Sequence, residues 1–542
     1  MKIRNIFMLA CMTLATSAMA QQPITRTTTA QGEVEGFIEN GLGTFKGIPF
    51  AQPPVGDLRW KAPLAPLPYN GVYQAKKVTA RAIQKISGGI STGTAAEPIS
   101  EDCLYLNILT PATRKDEKLP VMLWIHGGGF QDGKSYDQWG DNLARQGLVF
   151  VSITYRMNAM GYLALPELTA ESLKETGIAT SGNYGMLDQI QAIKWVKENI
   201  ANFGGDPDKI TIQGESAGGI SVSILCASPL TKGLFRAAIC ESGGSFSPVG
   251  EKAIVGMGCT SLELAEKQGK EFLKKIGLDN KKKLSLKELR KIPAEKFLEE
   301  GAGNCWPNCD GYVITGDQYL LYEQGKYNDV NLLIGTNSRE GDMFSAAGTL
   351  AEYEKEMQAR FGDWTPKFKP MYPAKTDADV QDARSNIFRE SAFAWPTYAW
   401  TNLQKKTGKS SIYVYYLDQA QKNTFRPDAP LKGTNHACDM AYVFGHPFSF
   451  MPFNEVDWGI SKMITTYFAN FVKTGNPNDN GEKGDGNPAH ADALPYWPQY
   501  DLNTESVMKF HNGASVVSQP NRAEVELWEE YYKDMRDKLY NK

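Results

Sequence analysis

Six apolar runs, separated by segments of helical spacing, most constrain how this chain folds. They span residues 121–125, 148–154, 209–213, 235–240, 330–336 and 411–417. Most are rich in Val, Ile and Leu on both faces, as expected for strands of a parallel sheet covered by helices on each side. Between the second and third runs, apolar residues recur every three or four positions, which predicts an amphipathic helix over 184–202. The pattern predicts an α/β fold with a mostly parallel central sheet.

Two further helices are predicted between the fourth and fifth strands. They span 261–276 and 285–291, and the second begins with the capping box formed by Ser285 and Glu288. An insertion at this place in the chain is expected to form a lid.

The first twenty residues have the composition of a secretory signal peptide. Lys2 and Arg4 precede an apolar run over 6–15, and small residues up to Ala20 form a cleavage site. We expect export to the periplasm or the medium, with residues 21–542 forming a single catalytic domain. No later stretch reaches about 18 apolar residues, so no stable membrane insertion is expected. A formal charge of −3 gives no reason to expect a nucleic-acid partner.

Seven cysteines remain once Cys11 leaves with the signal peptide, so at least one thiol is unpaired. Cys305 and Cys309 form the only close pair, and they are the expected bridge in an exported protein, although the sequence leaves the pairing open. No doubled CxxC spacing is present, so no metal is expected. A loop over 476–493 is rich in Gly, Asn and Asp, and what it binds, if anything, is left open.

The pattern G-x-S-x-G occurs twice, around Ser91 and around Ser216. In a serine hydrolase the nucleophile sits in a strained turn that joins a strand to a helix, with small neighbours two residues on either side. The residues around Ser91 form neither a convincing strand nor a helix. Around Ser216, the strand 209–213 precedes the serine and an apolar, small-residue helix over 217–227 follows it. Ser216 is therefore the candidate nucleophile.

A serine hydroxyl needs a base, and only five histidines are available. In this architecture the chain order is Ser, then acid, then His. Three histidines are excluded by that order or by a late position: His126, His490 and His511. His436 lies in a loop after the strand 411–417, where a base can reach the carboxyl edge of the sheet, and it is favoured over His446.

The acid is expected after the strand 330–336, where Glu340 and Asp342 both occur and spacing favours neither. An oxyanion hole is predicted where the strand 121–125 ends in His126-Gly127-Gly128-Gly129-Phe130, because bare glycine backbone can direct N–H groups at a developing negative charge.

Several long motifs occur in an order typical of one family. They are Phe45-Lys46-Gly47-Ile48-Pro49-Phe50-Ala51, Glu101-Asp102-Cys103-Leu104-Tyr105-Leu106-Asn107, the HGGGF turn, Asn183-Tyr184-Gly185-Met186-Leu187-Asp188-Gln189, Phe203-Gly204-Gly205-Asp206-Pro207 and GESAGG. The chain resembles type-B carboxylesterases of the carboxylesterase/cholinesterase family, including bacterial esterases of the para-nitrobenzyl type. The similarity covers almost all of residues 21–542.

This resemblance implies an α/β-hydrolase fold without a cofactor. It implies the triad Ser216, Glu340 and His436, which resolves the choice of acid. It also implies oxyanion donors and two structural ion pairs. The donors are the N–H groups of Gly128, Gly129 and Ala217, and the pairs are Arg59 with Glu101 and Arg156 with Asp188.

The chain departs from the family pattern at three places. Cys103 matches a cysteine that is usually bridged, but Ile83 occupies the probable partner position. A second frequent bridge near Gly277 lacks both cysteines. No tryptophan lies between Trp60 and Trp124, where cholinesterases carry the ring that binds a quaternary ammonium.

The expected function is that of a serine esterase for uncharged carboxylic esters, acting as a monomer or weak homodimer on a small-molecule substrate. Two alternatives from other classes are another acyl hydrolase (an amidase, thioesterase or lactonase) on the same triad and a non-catalytic binding protein. The second is disfavoured because such members typically lack a triad residue, whereas all three are present here. The acyl and alcohol groups of the substrate stay open.

Overall fold

A computed structural model describes residues 21–85, 98–136, 139–250, 258–278, 284–299, 305–420, 431–479 and 494–540. The strands in these ranges are β1 (Arg26–Thr29), β2 (Gly32–Glu35), β3 (Phe37–Glu39), β4 (Leu42–Pro49), β5 (Tyr73–Gln74), β6 (Arg81–Ala82), β7 (Ile99–Ser100), β8 (Tyr105–Thr110), β9 (Leu119–Ile125), β10 (Val149–Ile153), β11 (Gly205–Glu215), β12 (Ala237–Glu241), β13 (Thr260–Ser261), β14 (Asn308–Cys309), β15 (Asn331–Asn337), β16 (Ile412–Leu417), β17 (Ser506–Phe510) and β18 (Ala514–Ser518).

The α-helices in the same ranges are α1 (Asp141–Ala144), α2 (Asn158–Tyr162), α3 (Pro166–Thr176), α4 (Tyr184–Asn199), α5 (Ala217–Ala227), α6 (Leu262–Lys275), α7 (Leu286–Leu289), α8 (Gln318–Glu323), α9 (Leu350–Phe361), α10 (Thr365–Met371), α11 (Val380–Arg389), α12 (Trp395–Thr407), α13 (Asp439–Phe444), α14 (Glu455–Thr474) and α15 (Arg522–Tyr540). A single π-helical turn, Glu390–Ala394, joins α11 to α12.

Eleven strands form the main sheet, in the order β18-β17-β16-β15-β12-β11-β9-β10-β8-β4-β3. All neighbouring pairs from β17 to β10 are parallel. The predicted mostly parallel central sheet is therefore confirmed, and each of the six predicted strands lies in it.

Antiparallel strands, which the six apolar runs do not predict, extend this sheet at both edges. β3 and β4 are joined at Asn40 and Gly41, which have φ values of 51° and 80°. Positive φ at both central residues is the geometry of a tight hairpin turn, which Asn-Gly adopts readily. β17 and β18 are joined by a loop of three residues, 511–513, in which Asn512 and Gly513 have φ values of 51° and 143°.

The core lies on both faces of the sheet, as alternation along β9 shows. Met122 and Trp124 pack in one cluster, with α1, α13 and α14, whereas Val121, Leu123 and Ile125 pack in the other. Because successive side chains on a strand point to opposite faces, this apolar run supplies both layers.

The predicted helices are present with shifted ends. The helix over 184–202 is α4, and a 3-10 turn at Ile200–Phe203 continues it to Gly204, whose φ is 82°. The insertion after β12 contains α6 and the short α7, and Ser285 and Glu288 form the predicted capping box. The function of this insertion as a lid stays a prediction.

Some predictions fall outside the described residues: the signal peptide over 1–20, the Ser91 motif, and most of the 476–493 loop. Within the described ranges, no helix is long and apolar enough to cross a membrane.

Both ion pairs implied by the resemblance are confirmed. Arg59 and Glu101 meet through two hydrogen bonds of 2.6 and 2.5 Å. Arg156 binds Asp188 through Nε and Nη2 at 2.8 and 2.7 Å, and its backbone N–H donates to the same carboxylate at 3.0 Å. The second pair is almost completely buried and fastens the segment after β10 to α4.

The expected Cys305–Cys309 bridge is wrong. All seven cysteines of the described residues are free thiols, including Cys103. Burial raises the pKa of Cys305 to about 12 and that of Cys309 to about 11. Since the thiolate is the species that enters disulfide exchange, such thiols are poor partners for oxidation. Cys309 also lies in β14, whose pairing with β13 holds its backbone extended.

We expect Asp188→Asn to lower the free energy of unfolding by about 3–5 kcal/mol, because it leaves the Arg156 charge buried without its counter-charge. Asp208→Asn is the matched control, since the Lys197–Asp208 pair lies at the surface. Urea titration of both variants measures the difference, and equal stabilities would contradict the importance of the buried pair.

We also expect alkylation of denatured, unreduced protein to label all seven cysteines beyond residue 20, Cys103 among them. Mass mapping after digestion reads each site. A disulfide-linked Cys103 peptide would overturn the assignment of free thiols.

Candidate active site

Ser216 occupies a sharp turn between β11 and α5. Its φ and ψ are 55° and −121°, a conformation that non-glycine residues rarely adopt, and its N–H donates to Glu241 O at 2.9 Å. A Cβ on Gly214 would collide with the backbone of Gly218, and a Cβ on Gly218 would collide with Ile125 O. The flanking glycines are therefore required by close backbone approach, as expected for a nucleophile elbow.

The glycine turn after β9 lies beside this serine. β9 pairs with β11 in parallel, so the carboxyl ends of both strands meet at one edge of the sheet. A Cβ on Gly127 would lie 3.1 Å from Ser216 Cβ and 2.7 Å from Glu215 O. Only glycine lets this turn pass so close to the serine.

The next two residues of the turn, Gly128 and Gly129, have positive φ values of 98° and 62°. Gly128 O accepts hydrogen bonds from the backbone N–H groups of Gln131 and Asp132 at 3.0 and 3.1 Å, which fixes the peptide orientation. Ala217 is the first residue of α5, where the N–H groups of a helix have no intrahelical acceptor. Of the residues predicted as oxyanion donors, Ala217 follows Ser216 directly, and Gly128 and Gly129 follow Gly127, the glycine that lies against Ser216.

His436 and Glu340 are joined by a hydrogen bond of 2.6 Å between Nδ1 and Oε2. They come from the loops after β16 and β15, neighbouring parallel strands whose ends lie at the same edge. The two loops are fastened together, since Arg339 N–H donates to Thr434 O at 2.9 Å and Thr434 N–H donates to Ser338 Oγ at 3.0 Å.

The other oxygen of Glu340 is also held. Oε1 accepts from Ser242 Oγ at 2.5 Å and from the Asn337 N–H at 2.6 Å. Asp342, the alternative acid, binds Ser385 Oγ at 2.6 Å and Arg339 at 2.8 Å instead. Of the two acids that spacing could not separate, Glu340 alone contacts the histidine.

The remaining described histidines lie elsewhere. His126 stacks on Tyr155 behind the glycine turn, and burial lowers its pKa to about 4. His446 binds Asp141 at 2.7 Å, and His511 binds Asp418 O at 2.7 Å.

Three further buried acids surround the pair, and the sequence analysis missed them. Glu215 Oε1 lies 3.3 Å from His436 Nε2. Asp439, on the first turn of α13, accepts from Tyr415 Oη at 2.9 Å, and Glu241 accepts from Gln213. A signal was available: Glu215 precedes the serine within GESAGG, and Asp439 follows His436 by three residues.

Burial raises the pKa of all three acids. Asp439 reaches about 6, with the Glu340 charge as the second cause. The pKa values of Glu215 and Glu241 are raised well above the ordinary value of a glutamate, by burial first and then by the Asp439 charge. Desolvation and neighbouring negative charge both disfavour the ionised form.

Aromatic rings cover the imidazole. Phe393, in the π-helical turn, stacks on His436 with ring centroids 4.5 Å apart, and Phe344 approaches edge-on at 5.2 Å. The candidate base is thereby 4% exposed, and Ser216 is 9% exposed. Such shielding strengthens electrostatic interactions inside the site. Among the described residues, no group of three or more His, Cys, Asp or Glu side chains could hold a metal ion.

Comparison with known proteins identifies the family. A model of the carboxylesterase family matches residues 21–528. The chain belongs to the carboxylesterase family. It is 32% identical to fumonisin B1 esterase of Sphingopyxis macrogoltabida over 93% of this chain and 89% of that protein. It is 30% identical to para-nitrobenzyl esterase of Bacillus subtilis (strain 168) over 91% of this chain and 96% of that protein.

A solved structure titled PNB esterase matches with a TM-score of 0.77 at 28% identity, covering 94% of this chain and 99% of that one. The carboxylesterase has the α/β-hydrolase fold and is a carboxylic ester hydrolase.

We expect Glu340→Gln to lower kcat by orders of magnitude, because it removes the charge beside His436 Nδ1. Asp342→Asn should change kcat little, since Asp342 contacts Arg339 and Ser385. Steady-state kinetics on a p-nitrophenyl ester measure both, and equal losses would contradict the assignment of Glu340.

Proposed function

We propose that Ser216, His436 and Glu340 act as the catalytic triad of this ester hydrolase. The single observation that carries the proposal is the 2.6 Å hydrogen bond between His436 and Glu340 at the edge of the sheet where the strained Ser216 turn lies. A histidine fixed by a carboxylate at Nδ1 directs Nε2 toward the nucleophile as a base.

In the proposed mechanism, His436 Nε2 accepts the Ser216 proton as the hydroxyl oxygen attacks the ester carbonyl. The negative charge that develops on the carbonyl oxygen is taken up by the N–H groups of Gly128, Gly129 and Ala217. His436 then protonates the departing alcohol, which leaves an acyl-enzyme. Water attacks this ester by the same sequence and releases the acid and free Ser216.

The proposed triad and oxyanion donors do not determine which ester is hydrolysed. Relatives named for para-nitrobenzyl esters and for fumonisin B1 make both compounds rational test substrates. We further propose that the chain acts after export, in the periplasm or outside the cell, because its first twenty residues have the composition of a signal peptide.

We expect Ser216→Ala to lower kcat by roughly a million-fold, by analogy with the loss of a triad serine elsewhere. Ser91→Ala is the control, because its motif lacks the flanking strand and helix pattern. Hydrolysis of a p-nitrophenyl ester by folded protein is the assay. Full activity in Ser216→Ala, or its loss in Ser91→Ala, would overturn the proposal.

A further inference from the structure

A cavity of about 400 Å³ lies between α9 and α11, next to the residues that follow Glu340. Most of its wall is apolar or aromatic, and the side chains that matter most are Phe344, Met357, Arg360, Arg384, Ile387 and Phe388. This volume is in the range of sites that bind small organic molecules.

The charges of this cavity do not balance. Arg384 is paired with Glu356 through hydrogen bonds of 3.0 and 2.6 Å. Arg360 has no carboxylate partner among the described residues: Nη2 donates to Ser391 Oγ at 3.2 Å, and Nε is buried without an acceptor. The lining therefore contains two cations and one anion.

The guanidinium of Arg360 is half-buried against the rings of Phe361 and Trp528, at 5.1 and 5.4 Å from their centroids. Burial lowers the pKa of Arg360, although a guanidinium stays protonated in proteins. A half-buried cation without a counter-ion loses part of its hydration, and an anion in the cavity would offset that cost.

The cavity adjoins the proposed base through one aromatic layer. Phe344 lines the cavity, stacks on Phe388 at 4.5 Å and lies 5.2 Å from the His436 ring. Ser391, the acceptor of the Arg360 hydrogen bond, lies in the same π-helical turn as Phe393, which stacks on His436.

We propose that this cavity binds an organic carboxylate with an apolar body and that the guanidinium of Arg360 contacts the carboxylate. The carboxylate is a free acid group on the same molecule whose ester is hydrolysed. A guanidinium forms a charge-assisted hydrogen bond with a carboxylate, and the apolar wall suits an alkyl or aromatic chain. The inference rests on the proposed function and departs from the expectation of uncharged esters, since the substrate is a half-ester of a dicarboxylic acid.

The test compares hydrolysis of monomethyl and dimethyl esters of adipic, suberic and sebacic acids. Four full-length proteins are assayed: wild type, Arg360→Gln, Arg360→Lys and Lys367→Gln. The lysine control removes one surface charge, because Lys367 pairs with Glu530 outside the cavity. Arg360→Gln should lower kcat/KM for the best half-ester by about 10- to 100-fold, the usual effect of losing a charged hydrogen bond. Its kcat/KM for the diester should stay within about twofold.

Arg360→Lys should fall between wild type and Arg360→Gln, since it keeps the charge but loses the planar guanidinium. Equal losses for half-ester and diester would make Arg360 a purely structural residue and overturn the proposal. So would unchanged kinetics with both substrates. Circular dichroism and thermal unfolding exclude misfolding as the cause of a selective loss.

The carboxylate in the cavity could belong to the ester substrate or to a separate carboxylic acid. Calorimetric titration with hexanoate, with 1-hexanol as the uncharged control, distinguishes these two sources. Hexanoate should bind wild type and fail to bind Arg360→Gln. If hexanoate binds in this way but Arg360→Gln does not lose activity selectively toward half-esters, the cavity is a carboxylate site for a separate acid. The assignment of the half-ester substrate would then be wrong. Failure of the wild type to hydrolyse any ester would refute the proposed function. Whether the cavity binds a carboxylate would then be tested by the hexanoate titration alone.

Discussion

The close approach of two backbones at the end of β11 is the constraint on which the rest of the site depends. Gly214 and Gly218 lie so near each other, and Gly218 so near Ile125 O, that no side chain fits at either position. The strained φ of Ser216 persists because parallel strands on both sides of β11 fix the chain before and after it. The same contacts place the glycine turn after β9 beside the serine.

The topology of the sheet explains why Glu340 and His436 lie at the same edge as Ser216. In an open sheet of parallel strands, loops after the strands gather at one edge, where ligands bind. β15 and β16 are neighbours there, and hydrogen bonds between their loops, such as the one from Arg339 N–H to Thr434 O, hold Glu340 against His436. Residues that lie 96 positions apart in the chain therefore meet at 2.6 Å.

The sequence predicted the features that local pattern determines. Continuous apolar runs located the central strands, and the strand–serine–helix pattern separated Ser216 from Ser91. Spacing could not separate Glu340 from Asp342, because both follow β15 and only the tertiary hydrogen bonds distinguish them. The edge hairpins lack the continuous apolar runs of the central strands, so those runs do not reveal them, although Asn40 and Gly41 carry a recognisable turn signal.

The thiol prediction failed for a different reason. Closeness in sequence suggested a Cys305–Cys309 bridge. Pairing of β14 with β13, burial of Cys305 and partial burial of Cys309 depend instead on contacts distant in the chain. The positions of Glu215 and Asp439 next to Ser216 and His436 in the sequence indicate that they lie near the site. Their burial, and that of Glu241, cannot be read from spacing, since burial is a property of the folded molecule.

These acids bear directly on how the site works. A positive charge on His436 lowers the pKa of Asp439, so the imidazolium and an ionised Asp439 favour each other. Glu215, 3.3 Å from His436 Nε2, lies still closer to the charge that forms when the base accepts a proton. Burial nevertheless keeps the pKa of each acid raised, which limits how much negative charge accumulates around Glu340. The site thus combines one carboxylate in direct contact with the imidazole and a group of buried acids, of which Asp439 is stabilised in its ionised form by a positive charge on that ring.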